Sequence, residues 1–148
     1  MLSFGQYARH LERSLVIVKP ELEIGLARVG EHTKVMAANY IGHELPEWKP
    51  LAPATVKEKT ELGYVGHVSA TDPLLRTGAN EQSIGVAVEG LTQAVGSPRK
   101  EFLYMEMGTD KVPPRPAIGL AAVRSLPYAG EVFGMLAMGL LAPGFRWR

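Results

Sequence analysis

The sequence predicts an α+β fold, with long N-terminal helices packed on a small antiparallel β-sheet and additional C-terminal helices. Three observations lead there. Apolar residues recur in steps of three and four from Phe4 to Tyr40. They then alternate strictly from Ile84 to Val88, and Glu89-Gly90 divides that run from a second short one. Beyond Ala117 the helical spacing returns and continues to Leu141. A change of period from 3.6 to 2 and back is the sequence signature of helix, strand and helix.

In the first helix, over residues 2–18, Phe4, Tyr7, Ala8, Leu11, Leu15 and Val18 define one face. Pro20 then restarts the chain, because proline fits a first helical turn better than a helix interior. A second helix is expected over residues 20–41, with Leu22, Leu26, Val29, Met36, Ala37 and Tyr40 as its stripe. The two are read as one kinked helix or a helical hairpin, and Gly25 and Gly30 argue against an unbroken rod. Gly42, Pro46 and Pro50 punctuate a loop over residues 42–52 that carries Trp48. Pro53 opens a short helix to Thr60, residues 61–72 read as a flexible loop, and Asp72-Pro73 starts a turn. The alternation from Ser83 gives a strand, and Thr92 to Gly96 returns as its hairpin partner. Residues 101–107 are read as a short helix ended by Gly108, and Lys111 to Pro116 as an extended arm. Two helices follow, Ala117 to Ser125 and Tyr128 to Leu141, separated by Pro127.

The whole chain of 148 residues reads as a single domain. It divides into a helical part over 1–42, a core over 43–125 and an apolar extension over 126–148. Hydrophobic residues are 46% and charged residues 21%, a globular composition that excludes disorder. Sixteen basic residues against fifteen acidic ones leave a net charge of +1, which gives no electrostatic case for tight nucleic-acid binding. Cysteine is absent, which excludes disulfides, thiolate catalysis and zinc sites with cysteine ligands. The residues from Met1 to Tyr7 are neither basic nor followed by a clean apolar core, so no signal peptide is expected. The most apolar stretch, Val132 to Phe145, spans 14 residues and contains three Gly and one Pro. It falls short of the ~20 residues needed to cross a bilayer and is read as buried or subunit-contacting.

Motifs for chemistry are missing. No two of His10, His32, His43 and His67 have the i, i+4 spacing of a helical metal site, and each is read as a surface or packing residue. Neither a Walker loop nor GxGxxG occurs. Glu81-Gln82-Ser83-Ile84-Gly85 lacks the leading glycine of a nucleophile elbow and opens a strand instead of leaving one. The acid pairs Glu21 with Glu23 and Glu101 with Glu106 are read as solvated helix faces. No catalytic residue, metal ligand or cofactor site is assigned.

Three segments form a pattern. The first is Trp48-Lys-Pro-Leu-Ala-Pro-Ala-Thr-Val-Lys-Glu-Lys59. The second is Pro73-Leu-Leu-Arg-Thr-Gly-Ala79, with Ser83-Ile84 soon after. The third runs through Val95-Gly96-Ser97, Tyr104, Met107-Gly108-Thr109 and Val112-Pro-Pro-Arg-Pro116. In this order they resemble the virion-morphogenesis and tail-completion proteins of tailed bacteriophages. The resemblance covers about residues 45–120 and departs from the usual pattern at Asn80, Met105 and Ala117. It implies an α+β subunit without catalysis or cofactor that closes into a cyclic ring at the tail top or neck. Six copies are the expectation. The implied partners are other copies of the chain and the neighbouring neck, connector and tail-tube proteins. DNA would pass the lumen as cargo, and no membrane is involved. The alternatives are a head-side connector, a minor tail protein, or a small cytoplasmic enzyme with an unrecognised site.

Within these motifs, Thr77-Gly78 suits a turn in which the threonine caps the next backbone N–H groups. Gly108-Thr109 makes the bend that launches the proline arm. Arg115, between Pro114 and Pro116, suits either a carboxylate on a neighbouring subunit or an intrachain salt bridge. Trp48 is an interface anchor or a core residue, and Phe145 and Trp147 form an aromatic, basic terminus that docks on a neighbour. With Arg76 and Tyr104, these residues are the candidate partner interface.

Overall fold

The structure is a computed structural model that describes residues 3–64 and 70–142. Its backbone is one helix, α1, which runs unbroken from Phe4–Tyr40. Ser3 opens it with a capping box, accepting from Gln6 N while the Gln6 side chain accepts from Ser3 N. Of the two readings of this region, the hairpin is wrong. Pro20 lies inside the helix. Proline's φ is already helical; Pro20 removes one hydrogen bond and its ring crowds the carbonyl of Val16, yet the helix continues through it.

The other described elements are α2 (Pro53–Glu61), α3 (Ala79–Gln82), β1 (Gly85–Glu89), β2 (Thr92–Gly96), α4 (Lys100–Met107), α5 (Ile118–Arg124) and α6 (Leu126–Leu141). The expected α+β architecture is present: helices on a small two-stranded antiparallel sheet. The short helix α3 was not anticipated. Pro127 belongs to the first turn of α6 and separates nothing. The break between α5 and α6 is at Ser125, whose hydroxyl donates to Ala121 O at 2.8 Å.

The hairpin pairs Gly85 with Gly96 and Glu89 with Thr92 around a two-residue turn. Val86, Val88, Gln93 and Val95 form its half-buried face, which lies on α1. The two approach closely at Gly30. A Cβ there would stand 2.5 Å from Val86 Cγ1 and 2.7 Å from Gln93 Nε2. In the orientation that satisfies both ends of its amide, Gln93 donates to Leu26 O and accepts from Gly30 N, each at 2.9 Å.

Helix α6 runs antiparallel along α1. His32 stacks on Tyr128 with ring centroids 4.2 Å apart, and Gly25 faces Val132 and Phe133. At the far end His10 Nε2 lies 3.0 Å from Leu140 O, and Tyr7 OH donates to Leu141 O at 3.4 Å. These two side chains serve carbonyls that the end of α6 leaves without partners. The main core gathers around the other end of α1, where Ala37 and Ile41 meet Trp48, Leu75, Ile84, Phe102, Ala117 and Ala121.

Candidate functional site

Three stretches far apart in sequence close around one cleft of about 650 Å³. Helix α2 forms one wall, the 70–78 turn a second, and the 111–115 arm a third. They correspond to the three segments that carry the resemblance.

Lys59 is 3% exposed, and its ammonium donates to the Asp72 carbonyl at 2.6 Å. Burial pushes its pKa below the ordinary lysine value, the nearby Asp72 partly restores it, and Arg76 opposes that restoration. Arg115 does not reach outward. It is 6% exposed; its Nε and Nη2 donate to Lys49 O at 3.1 and 2.9 Å, and Nη2 also donates to Pro50 O at 3.1 Å. Of the two readings of this side chain, the intrachain one is nearer, although its partners are carbonyls and no salt bridge forms. Burial lowers the guanidinium pKa from its high ordinary value. The arm is also held by its backbone, since Arg115 N donates to Met105 O at 2.7 Å.

The bend before the arm is made by Gly108 and Thr109. Gly108 has φ +75°, and a Cβ there would lie 2.8 Å from Pro114 N, so both conformation and space require glycine. Thr109 Oγ1 accepts from Lys111 N and Val112 N at 3.3 and 3.1 Å. Thr77 does not cap α3; the cap position is Gly78, at φ +74°, with no side-chain hydrogen bond. In the same turn Leu74 holds φ +64°, a left-handed conformation rare for a branched side chain. Asn80 Nδ2 reaches Leu74 O at 3.4 Å.

The remaining candidates separate. Arg76, Thr77 and Gly78 line the cleft, and Arg76 pairs with Glu58 at 3.3 Å and lies over the Tyr64 ring. Trp48 is buried in the core, which favours the core reading of that residue. Tyr104 is exposed on α4 beside Leu103 and Met107, away from the cleft. Pro114 is exposed and Pro116 half-buried. Phe145 and Trp147 lie outside the described residues.

Sequence reasoning missed Glu106. Its carboxylate is not a solvated surface group; it accepts from Ala117 N and Ile118 N at 2.6 Å each and from Gly119 N at 3.3 Å, closing the start of α5. Also missed was Arg124, which bonds Glu47 and donates to Tyr40 OH at 3.2 Å, joining α5 to α1 and the Trp48 loop.

Charge in the cleft is unbalanced. Lys49, Lys59, Arg76, Arg99, Lys111 and Arg115 face Glu58, Asp72 and Glu101, an excess of three positive charges. A smaller cavity of about 420 Å³ adjoins it across Lys49, Pro50 and Leu51 and includes Trp48 in its wall. Among the described residues, the buried side-chain donors without a hydrogen-bond acceptor are Trp48 Nε1 and Arg99 Nε, and each residue lines one of these cavities. Among the described residues no group of three or more His, Asp or Glu is arranged to hold a metal ion. Nor, among them, is any helix long and apolar enough to cross a membrane. No protein-family model, curated protein or solved structure matches the chain.

Proposed function

We propose that the chain is a non-enzymatic structural protein of a tailed bacteriophage virion, one subunit of a cyclic ring of six copies at the head–tail junction. The observation that carries this reading is how the three motif segments lock together. Arg115 clamps the carbonyls after Trp48, Lys59 clamps the carbonyl of Asp72, and the bend at Gly108-Thr109 brings the arm back to Met105. Each buried cation serves a backbone carbonyl, so these residues act as framework. A framework role without chemistry fits the non-catalytic subunit that the tail-completion resemblance implies.

A second feature supports a subunit. The helix pair of α1 and α6 carries large exposed apolar side chains, among them Val16 at 78%, Ile17, Met135 and Met138. Apolar surface of this kind is commonly covered by a partner. A ring needs a head-to-tail interface, in which two different patches of one subunit meet. The helix pair and the exposed side chains of α4 supply two such patches.

The partners under this reading are further copies of the chain and the adjoining neck, connector and tail-tube proteins. Light scattering of the purified chain with negative-stain electron microscopy tests the assembly. Closed rings of uniform diameter are the expected result. A monomer at every concentration would count against self-assembly.

A further inference from the structure

We infer that the cleft between α2, the 70–78 turn and the 111–115 arm is a docking groove for a short acidic peptide segment of a partner protein, with carboxylates set beside apolar side chains. Size is the first argument. At about 650 Å³ the cleft is far larger than a lone ion needs and falls in the range of sites that enclose an organic ligand. Its surface is the second. Leu74, Leu75, Met105 and Val112 give it an apolar lining, so a purely ionic ligand would leave much of it unmatched.

Charge gives the third argument. The excess of three positive charges in this cleft exceeds the net charge of +1 on the whole chain. Lys49 and Lys111 are exposed at its edge. Two exposed lysines attract a carboxylate at a distance and tolerate variation in its position. A nucleic-acid backbone fits less well, because its phosphates would have to lie against the apolar lining of Leu74, Leu75, Met105 and Val112, which the peptide's apolar side chains match.

An unmet donor gives the fourth. Buried N–H groups are nearly always hydrogen-bonded. Arg99 Nε has no hydrogen-bond acceptor and makes only a long ion pair with Glu101, at 3.8 Å. A peptide supplies such an acceptor through a carboxylate or a carbonyl. The left-handed Leu74 is the fifth, since strained backbone tends to collect where a site is shaped for a ligand. The inference does not need the assembly reading. A chain that forms no rings and binds the peptide keeps it, and a ring-forming chain that ignores the peptide loses it.

Fluorescence anisotropy on the full chain tests it, with labelled short peptides in which Asp and Glu alternate with Leu and Phe. The control peptides carry Lys at each acidic position. Saturable binding of the acidic set, weakened by added salt and absent for the basic set, is expected. Lys49→Glu combined with Lys111→Glu lowers affinity about tenfold and leaves the thermal midpoint unchanged, because both side chains are exposed. Should that variant not fold, methyl NMR of the unsubstituted chain replaces it, and a shift of the Met105 methyl on peptide addition supports the groove. Equal binding of both peptide sets, no saturable binding, affinity unchanged in the folded double variant, or an unshifted Met105 methyl would each overturn the inference. Displacement of the peptide by inorganic phosphate alone would overturn it too, by reassigning the cleft to a simple anion.

Discussion

Gly30 occupies the middle of a long helix, where alanine is ordinarily better by about 1 kcal/mol. Here the preference reverses. An added Cβ would meet Val86 at 2.5 Å and Gln93 at 2.7 Å, so the hairpin would have to move off α1. Gly30→Ala is expected to destabilise the fold by about 1–3 kcal/mol in urea denaturation, the usual range for overpacking. Gly25→Ala is the milder companion, since its Cβ would meet the end of the Phe133 ring at 3.0 Å. A stability gain at position 30 would show that the hairpin does not sit there. Lys59 gives a second test. Burial lowers its folded pKa, so above that value the unfolded chain holds more protons than the folded one. Stability therefore rises with pH through the window between the folded pKa and the ordinary lysine value. Compared with Lys59→Met, the unsubstituted chain should gain stability as the pH is raised into that window. A difference between the two that stays flat with pH would contradict the burial of this ammonium.

At the scale of elements, α5 depends on a residue from another helix. Its own cap position is Ala117, which has no side-chain oxygen, and Glu106 on α4 accepts from the cap's N–H and from the first two N–H groups of the helix. Glu106→Ala should destabilise the chain by about 1–2 kcal/mol, as loss of a cap does, with Glu106→Gln keeping part of the effect. Equal stability of all three forms in thermal unfolding would remove Glu106 from that role. The example also shows where sequence reasoning stops. The β-hairpin was legible because the alternation of Ile84, Val86 and Val88 is a local signal with one meaning. Unbroken α1 was not, because Pro20 is a strong local breaker, whereas the packing of α6 along the helix is a tertiary fact. Glu106 and Gly119 lie on different elements, so no short-range capping pattern joins them. Among the site residues, the Gly108-Thr109 bend was readable from composition. The burial of Lys59 and the inward turn of Arg115 were not, since lysine and arginine are ordinarily exposed. The three motifs were visible as separate strings, and only folding brings them to one cleft.

Across the whole molecule the two ends of α1 have different surroundings. One end is enclosed by the core around Ala37 and Ile41, while the other is accompanied by α6 and leaves Val16 and Phe4 exposed. Large exposed apolar side chains on a helix pair of this kind suit a subunit whose surface is completed by neighbours. The proposed groove is lined by residues outside the α1–α6 pair, so the proposed self-assembly and the proposed peptide docking do not compete for one surface. The proposed assembly role at the head–tail junction is tested by a stop codon in the gene, placed in the phage genome that the proposal assigns it to, with the lysate viewed by electron microscopy. Filled heads lying beside separate, unattached tails are the expected result. Normal, infectious particles from the same lysate would contradict it.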